Sequence, residues 1–104
     1  MVKEIFVLLL NYWGVKMIEK EFVIKNKLGF HARAAVKFVQ LASKFKSDVV
    51  VIKNDLEVSG KSIMGVLMLA ASKGSKIILR ISGDDEEEAL KQLGGLIEDG
   101  FGED

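Results

Sequence analysis

The chain of 104 residues has no cysteine, no proline and only one histidine. The absence of cysteine excludes disulfide bonds and thiol catalysis, and it fits a reducing cytoplasm. Net charge is also absent, because 15 lysines and arginines balance 15 aspartates and glutamates. Nonspecific binding to nucleic acid therefore has no electrostatic driving force. An apolar run at residues 5–10 is too short to span a membrane, and no small-residue cleavage site follows it.

The only histidine, His31, stands at the entrance of a predicted helix, within residues 28–35 (LGFHARAA). A helix N-terminus carries unpaired backbone N–H groups and a partial positive charge, so it attracts anions and disfavours a protonated imidazole. A neutral imidazole is a nucleophile, and an anion attached to it would lie close to these N–H groups and to the guanidinium of Arg33. This arrangement suits a phosphoryl group. The alternative is that His31 only caps the helix or fills a loop.

A second short stretch, residues 60–65 (GKSIMG), lies further along the chain. Ser62 is a good N-cap for a short helix beginning at Ile63, because its hydroxyl can accept a hydrogen bond from an unpaired N–H group. A phosphate on the same oxygen would meet the same N–H groups. This helix is apolar on nearly all sides, more than a one-sided helix on a small domain can bury. It therefore predicts an exposed docking patch beside His31, with burial under the N-terminal segment as the alternative.

Hydrophobic periodicity predicts the order strand, helix, strand, strand, helix, strand, helix, which is an α+β domain with helices covering one face of a sheet. We expect Asp84 to cap the last helix and the acidic residues 85–88 to complement its dipole. The glycine pair 94–95 is expected to weaken that helix. The predicted strands span residues 19–25, 48–53, 56–59 and 76–81, and the predicted helices span residues 32–44, begin at residue 63, and follow residue 84.

The two motifs, in this order and spacing, resemble the histidine-containing phosphocarrier protein (HPr) family of the bacterial sugar phosphotransferase system. The resemblance runs from about Met17 to the C-terminus, and it implies an open-faced β-sandwich (βαββαβα) with a four-stranded antiparallel sheet and three helices. Residues 17–104 would form this domain, and residues 1–16 an N-terminal extension. We expect the natural start to be Met17 and the extension to be translated leader sequence. Many family members have proline where this chain has Ala34, but alanine should preserve the helix.

The resemblance also implies a function. His31 would accept a phosphoryl group on Nδ1 from enzyme I and pass it to IIA proteins or domains, while Arg33 balances the charge. Ser62 would be a regulatory phosphoserine, modified by an HPr kinase/phosphorylase in some bacteria. The chain would then be a stoichiometric carrier rather than a classical enzyme. We expect a cytoplasmic monomer with no cofactor, no metal, and no nucleic-acid or membrane partner. The residues expected to dock partners are Ile63, Met64, Leu67 and Phe30.

Two other functions remain open from the sequence. The chain can be a regulatory binding module in which phosphorylation of His31 or Ser62 only changes which partner docks. It can also be a small acid–base enzyme, but the sequence has no second catalytic group placed beside His31. A basic surface around the histidine would steer an acidic partner toward it, although an ordinary solvated helix face explains the same charges. The basic residues in this half are Lys25, Lys27, Arg33, Lys37, Lys44 and Lys46.

Overall fold

The computed structural model describes residues 5–7 and 17–103. Within them, each predicted strand and helix is present, with ends shifted by a few residues. One further strand lies near the N-terminus, and a 3-10 turn, Gly100–Gly102, ends the fold. The strands are β1 (Ile5–Val7), β2 (Ile18–Val23), β3 (Asp48–Lys53), β4 (Leu56–Ser59) and β5 (Lys76–Ser82), and the helices are α1 (Ala32–Ala42), α2 (Ile63–Met68) and α3 (Glu86–Glu98).

The sheet has the strand order β1-β2-β5-β3-β4, and every neighbouring pair is antiparallel. Strands β2 to β5 and the three helices form the predicted open-faced sandwich. Strand β1 adds an edge to this sheet by pairing with β2, with Val7 opposite Ile18. This strand belongs to the N-terminal extension, for which no particular structure is predicted. The expected docking helix, α2, contacts the opposite edge strand, β4. The other residues of the extension lie outside the described part of the chain.

The core lies between the sheet and the helices, as the alternating pattern predicts. On β5, the inward side chains Ile77, Leu79 and Ile81 are fully buried. Because successive strand residues point to opposite faces, this alternation places one face of the sheet under the helices and leaves the other open. Helix α1 contributes its predicted apolar stripe, which is buried throughout: Ala35, Phe38, Val39 and Ala42.

The start of α3 differs from the prediction that Asp84 caps it. Asp85 occupies the N-cap position, but its side chain makes no capping hydrogen bond. Its carboxylate accepts hydrogen bonds from the backbone N–H groups of Lys46 and Ser47, at 2.8 and 3.0 Å, and from the Ser47 hydroxyl. The Ser47 and Lys46 hydrogen bonds lower the pKa of Asp85 despite partial desolvation. Asp85 therefore ties the loop before β3 to α3, and Glu86 Oε1 instead accepts from the Gly83 N–H at 3.0 Å.

The glycine pair in α3 has a packing role that periodicity does not reveal. A Cβ atom on Gly94 would lie 2.6 Å from Cζ of Phe22, whereas a Cβ on Gly95 would meet nothing within 4 Å. Phe22 is almost completely buried in the core. Gly94 thus permits α3 to approach strand β2 closely, at the expense of some helix propensity.

Candidate functional site

His31 is the N-cap residue of α1, with an extended backbone (φ −79°, ψ −179°). Its carbonyl oxygen accepts the Ala35 N–H at 2.8 Å, which closes the first turn of the helix. Its side chain makes no capping hydrogen bond, so the imidazole does not cap the helix. Ala34 lies buried in the first turn of α1. The helix is intact at this position, as expected for alanine in place of proline. The first N–H groups of α1 have no intrahelical acceptor and are available to an anion.

The loop before His31 is held against the segment that follows α2. Gly29 has φ +67°, and a Cβ atom there would lie 2.4 Å from the carbonyl oxygen of Ala71, so the close approach requires glycine. The Phe30 N–H donates to the same Ala71 oxygen at 2.8 Å. The Gly29 carbonyl accepts the His31 N–H at 2.9 Å and the Asn26 side-chain amide at 2.7 Å. A backbone hydrogen bond therefore joins the loop before His31 to the segment after α2.

The imidazole of His31 is in contact with a carboxylate near the C-terminus. Its Nε2 atom lies 2.5 Å from Oε2 of Glu103, and the two side chains are 22% and 13% exposed. Desolvation tends to raise the pKa of Glu103, but hydrogen bonds from Asn26 and His31, with the charges of His31 and Arg33, lower it overall. An ionised carboxylate is only an acceptor, so Nε2 must carry the hydrogen of this contact. In the neutral ring the free lone pair is then on Nδ1.

A buried aromatic ring brings Glu103 to the site. Phe101, in the turn Gly100–Gly102, is completely buried, and its ring centroid lies 4.9 Å from that of Phe30. Lys37 Nζ donates to the Phe101 carbonyl at 2.7 Å and anchors the same turn to α1. Phe30 is only 4% exposed, because it packs under this turn. The expectation that Phe30 docks partners is therefore corrected: its ring belongs to the core.

Arg33 lies in the first turn of α1 and reaches the same carboxylate. Its Nε atom is 3.6 Å from Oε2 of Glu103, while its side chain is 66% exposed and can reorient toward an added anion. Two of the lysines expected to form a basic surface have internal partners, since Lys25 pairs with Glu98 and Lys37 donates to a backbone carbonyl. Arg33 is thus the cation that shares a carboxylate with the imidazole.

Ser62 is the N-cap of α2, and its hydroxyl oxygen accepts the Gly65 N–H at 3.0 Å, as the sequence predicts. Of the expected docking residues on this helix, Ile63 and Met64 are exposed, at 39% and 69%, whereas Leu67 is half-buried against the core. Met68, in the same helix, and Leu28, in the loop before His31, are also exposed, at 65% and 61%. We define the α2 patch as these exposed residues: Leu28, Ile63, Met64 and Met68.

Two residues of the site, Asn26 and Glu103, were not predicted from the sequence. Asn26 is 2% exposed and donates to Glu103 Oε1 at 3.0 Å. Neither residue belongs to a recognisable motif, and Glu103 is separated from His31 by 72 positions. The sequence signal for this contact is Phe101, an aromatic residue between two glycines in a polar segment. Such a residue is expected to pack in the core, and its burial holds the neighbouring residues against the domain.

Residues 5–7 and 17–103 contain no group of three or more histidine, aspartate and glutamate side chains that could hold a metal ion. No helix among them has the length and apolar character needed to cross a membrane. The chemistry available at the site is thus that of His31, its carboxylate partner, Arg33 and backbone N–H groups.

The fold and site define a small α+β domain that has its histidine at a helix N-terminus and exposed apolar side chains on α2. Residues 18–99 match the family model described as the PTS HPr component phosphorylation site. The phosphocarrier protein HPr of Neisseria meningitidis serogroup A is 56% identical over 87 residues, which cover 84% of this chain and 98% of that protein.

Solved structures show the same relationship. The crystal structure of HPr-C-His from Thermoanaerobacter tengcongensis has a TM-score of 0.80 and 52% identity, and covers 83% of this chain and 97% of that one. A crystal structure described as an HPr dimer from the same organism has a TM-score of 0.68 and 54% identity, and covers 79% of this chain and 94% of that one. The chain belongs to the HPr phosphocarrier family of the phosphotransferase system.

Proposed function

We propose that the protein carries a phosphoryl group on Nδ1 of His31, from enzyme I to IIA proteins or domains of the sugar phosphotransferase system. In the loading step, the Nδ1 lone pair forms a bond to phosphorus while the bond from phosphorus to the phosphohistidine nitrogen of enzyme I breaks. In the unloading step, a histidine of the IIA partner attacks the same phosphorus. The protein is a stoichiometric carrier in the cytoplasm, and it contributes no metal or cofactor to either step.

The observation that carries this proposal is the contact between His31 Nε2 and Glu103. Because the ionised carboxylate accepts a hydrogen bond from Nε2–H, the lone pair of the neutral ring is on Nδ1, the nitrogen that attacks phosphorus. The unpaired N–H groups at the start of α1 and the exposed guanidinium of Arg33 would favour the negative charge of a phosphoryl group bound to His31. Phosphoryl transfer depends mainly on positioning and electrostatic stabilisation, so these groups suffice.

The α2 patch supports docking of a macromolecular partner beside His31. The hydrogen bond from Phe30 to Ala71 joins the histidine loop to the segment after α2, which supports a partner contacting both. Exposed methionines are adaptable contacts for several partners. Met64, at 69% exposure, is the best single probe of this surface. Its replacement by glutamate should slow transfer to and from partners while the fold persists.

The Ser62 hydroxyl supports a second, regulatory modification. A phosphate on this oxygen can keep the hydrogen bond to the Gly65 N–H and would place about two negative charges next to the α2 patch. We propose that phosphorylation of Ser62, by an HPr kinase/phosphorylase where one is present, weakens docking rather than unfolding α2. The same position supports the alternative function, a regulatory module whose phosphorylation state selects its partner. Transfer of phosphate from His31 to a IIA protein separates the carrier from the regulatory module.

The test is incubation with enzyme I, phosphoenolpyruvate and Mg²⁺, followed by intact-mass analysis before and after mild acid. The wild-type protein should gain one phosphate that acid removes, and His31→Ala should gain none. Addition of a IIA protein should then discharge the loaded protein. Acceptance of phosphate by His31→Ala, or no acceptance by folded wild-type protein with active enzyme I, would contradict the proposal. Light scattering of the same samples checks the proposed monomeric state.

A further inference from the structure

A buried asparagine controls the carboxylate that touches His31. Asn26 Nδ2 donates one hydrogen to the Gly29 carbonyl, at 2.7 Å, and the other to Glu103 Oε1, at 3.0 Å. Asn26 is 2% exposed, and its Oδ1 atom has no hydrogen-bond partner in the described part of the chain. Glu103 is thereby held at both oxygens, by Asn26 on one side and by His31 on the other.

The orientation of the asparagine amide is determined by its neighbours. If the amide were flipped, Oδ1 would face the Gly29 carbonyl and the Glu103 carboxylate, and three acceptors would meet with no hydrogen between them. In the observed orientation both hydrogens of Nδ2 are used. In this orientation the buried Oδ1 atom has no hydrogen-bond partner. This costs less free energy than the flipped orientation, in which the Gly29 carbonyl and the Glu103 carboxylate would both lose their donor.

We propose that Asn26 and Glu103 are positioning residues, which together fix the neutral ring of His31 as the tautomer with hydrogen on Nε2 and the lone pair on Nδ1. Asn26 donates a hydrogen bond to Oε1 of Glu103, so Oε2 is the oxygen that faces the imidazole. The turn Gly100–Gly102, with Phe101 buried in the core, holds the carboxylate at this place. The consequence for phosphoryl transfer depends on the function proposed above, but the tautomer itself does not.

The substitution Glu103→Gln tests this arrangement because it changes one acceptor oxygen into a donor at nearly constant shape. Asn26 donates to the oxygen of the introduced amide and so turns its NH₂ group toward His31. The imidazole must then accept at Nε2 and carry its hydrogen on Nδ1. We therefore expect the substitution to reverse the tautomer. Glu88→Gln is the matched control, because Glu88 is an exposed residue of α3 that bonds only Gln92 among its described contacts.

The readout is the pair of imidazole ¹⁵N chemical shifts, measured by NMR at a pH high enough that these shifts no longer change with pH. Wild type and Glu88→Gln should show a protonated Nε2, whereas Glu103→Gln should show a protonated Nδ1. In the double variant Asn26→Ala with Glu103→Gln, the amide is free to turn its oxygen toward the ring, so the signal of protonated Nε2 should return. If Asn26→Ala does not fold, the Glu103→Gln result alone decides.

The rate of phosphoryl acceptance from enzyme I should follow the tautomer. We expect Glu103→Gln to lower it by about 10-fold to 100-fold, by analogy with the loss seen when a group that orients a metal-bound histidine is replaced. Unchanged ring shifts in Glu103→Gln, or equal changes in Glu88→Gln, would overturn the positioning role. If wild type accepts no phosphate but the tautomer reverses as described, the proposed function fails and the positioning role stands. If wild type and Glu103→Gln are phosphorylated equally fast with the same tautomer, the positioning role alone fails.

Discussion

Glu103 and His31 are 72 positions apart in the chain, yet Oε2 of the carboxylate lies 2.5 Å from Nε2 of the imidazole. The contact makes the C-terminal segment part of the site at the start of α1. It also assigns different roles to the two ring nitrogens, one bonded to the protein and one available for chemistry. Substitutions at Glu103 and at Phe101 separate the effect of this contact from the effect of the packing that supports it.

The first prediction concerns acid stability. The pKa of Glu103 is lower in the folded protein than in the unfolded chain, so its ionised form stabilises the fold. This stabilisation is complete above the unfolded pKa and is lost as pH falls through the depressed folded pKa. Thermal unfolding measured between about pH 5 and about pH 2 should therefore show a steeper loss of Tm for wild type than for Glu103→Gln. Parallel curves would show that the contact with His31 and Arg33 does not form in solution.

The second prediction concerns the aromatic anchor of the C-terminal segment. Phe101 is completely buried against Phe30, so Phe101→Ala should lower the free energy of unfolding by about 3–5 kcal/mol. It should also release Glu103 and alter the ring nitrogen shifts of His31, because the turn no longer holds the carboxylate. Urea denaturation and NMR measure the two effects. A stability loss with unchanged His31 shifts would show that Glu103 reaches the imidazole without this anchor.

The third prediction uses adjacent glycines in α3 as a matched pair. A Cβ at Gly94 would lie 2.6 Å from the Phe22 ring, whereas a Cβ at Gly95 meets nothing within 4 Å. Gly95→Ala should stabilise the protein by about 0.5–1 kcal/mol through helix propensity. Gly94→Ala should be destabilising by about 1–3 kcal/mol, because overpacking outweighs the same propensity gain. Equal effects in urea denaturation would contradict the close approach of α3 to β2.

The fourth prediction concerns the cap of α2. Ser62→Ala removes the acceptor for the Gly65 N–H and should cost about 1 kcal/mol of stability. Ser62→Asn keeps a capping oxygen and should cost much less. Because neither substitution removes a group that contacts His31, we expect the rate of phosphate acceptance from enzyme I to change little in both variants. A large loss of stability in Ser62→Asn would show that the hydroxyl has a role other than capping.

Much of the fold could be predicted from local patterns. The predicted strands 48–53 and 56–59 form the antiparallel pair β3 and β4, and Asn54 between them adopts the left-handed conformation (φ 57°) that a hairpin turn favours. Ser62 was predicted as a cap because capping depends on residues only three apart. These features follow from neighbours in the sequence, so the sequence is sufficient to find them.

The features that were missed depend on residues far apart in the chain. The packing of Phe101 over Phe30 removes that ring from the surface, and Asp85 turns to the N–H groups of the loop before β3 instead of capping its own helix. Gly94 was read as a weak point because the approach of Phe22 comes from another element. In each case the partner lies in a distant segment, and no periodicity or spacing connects the two.

The most direct test of the account is the site of phosphorylation at atomic level. Protein labelled with ¹⁵N, loaded by enzyme I and phosphoenolpyruvate, should show ³¹P–¹⁵N coupling to Nδ1 of His31, while Nε2 retains its hydrogen and its contact with Glu103. This result is predicted because Nε2 is occupied by the carboxylate and Nδ1 is free. Phosphate on Nε2, or on a residue other than His31, would contradict the central claim.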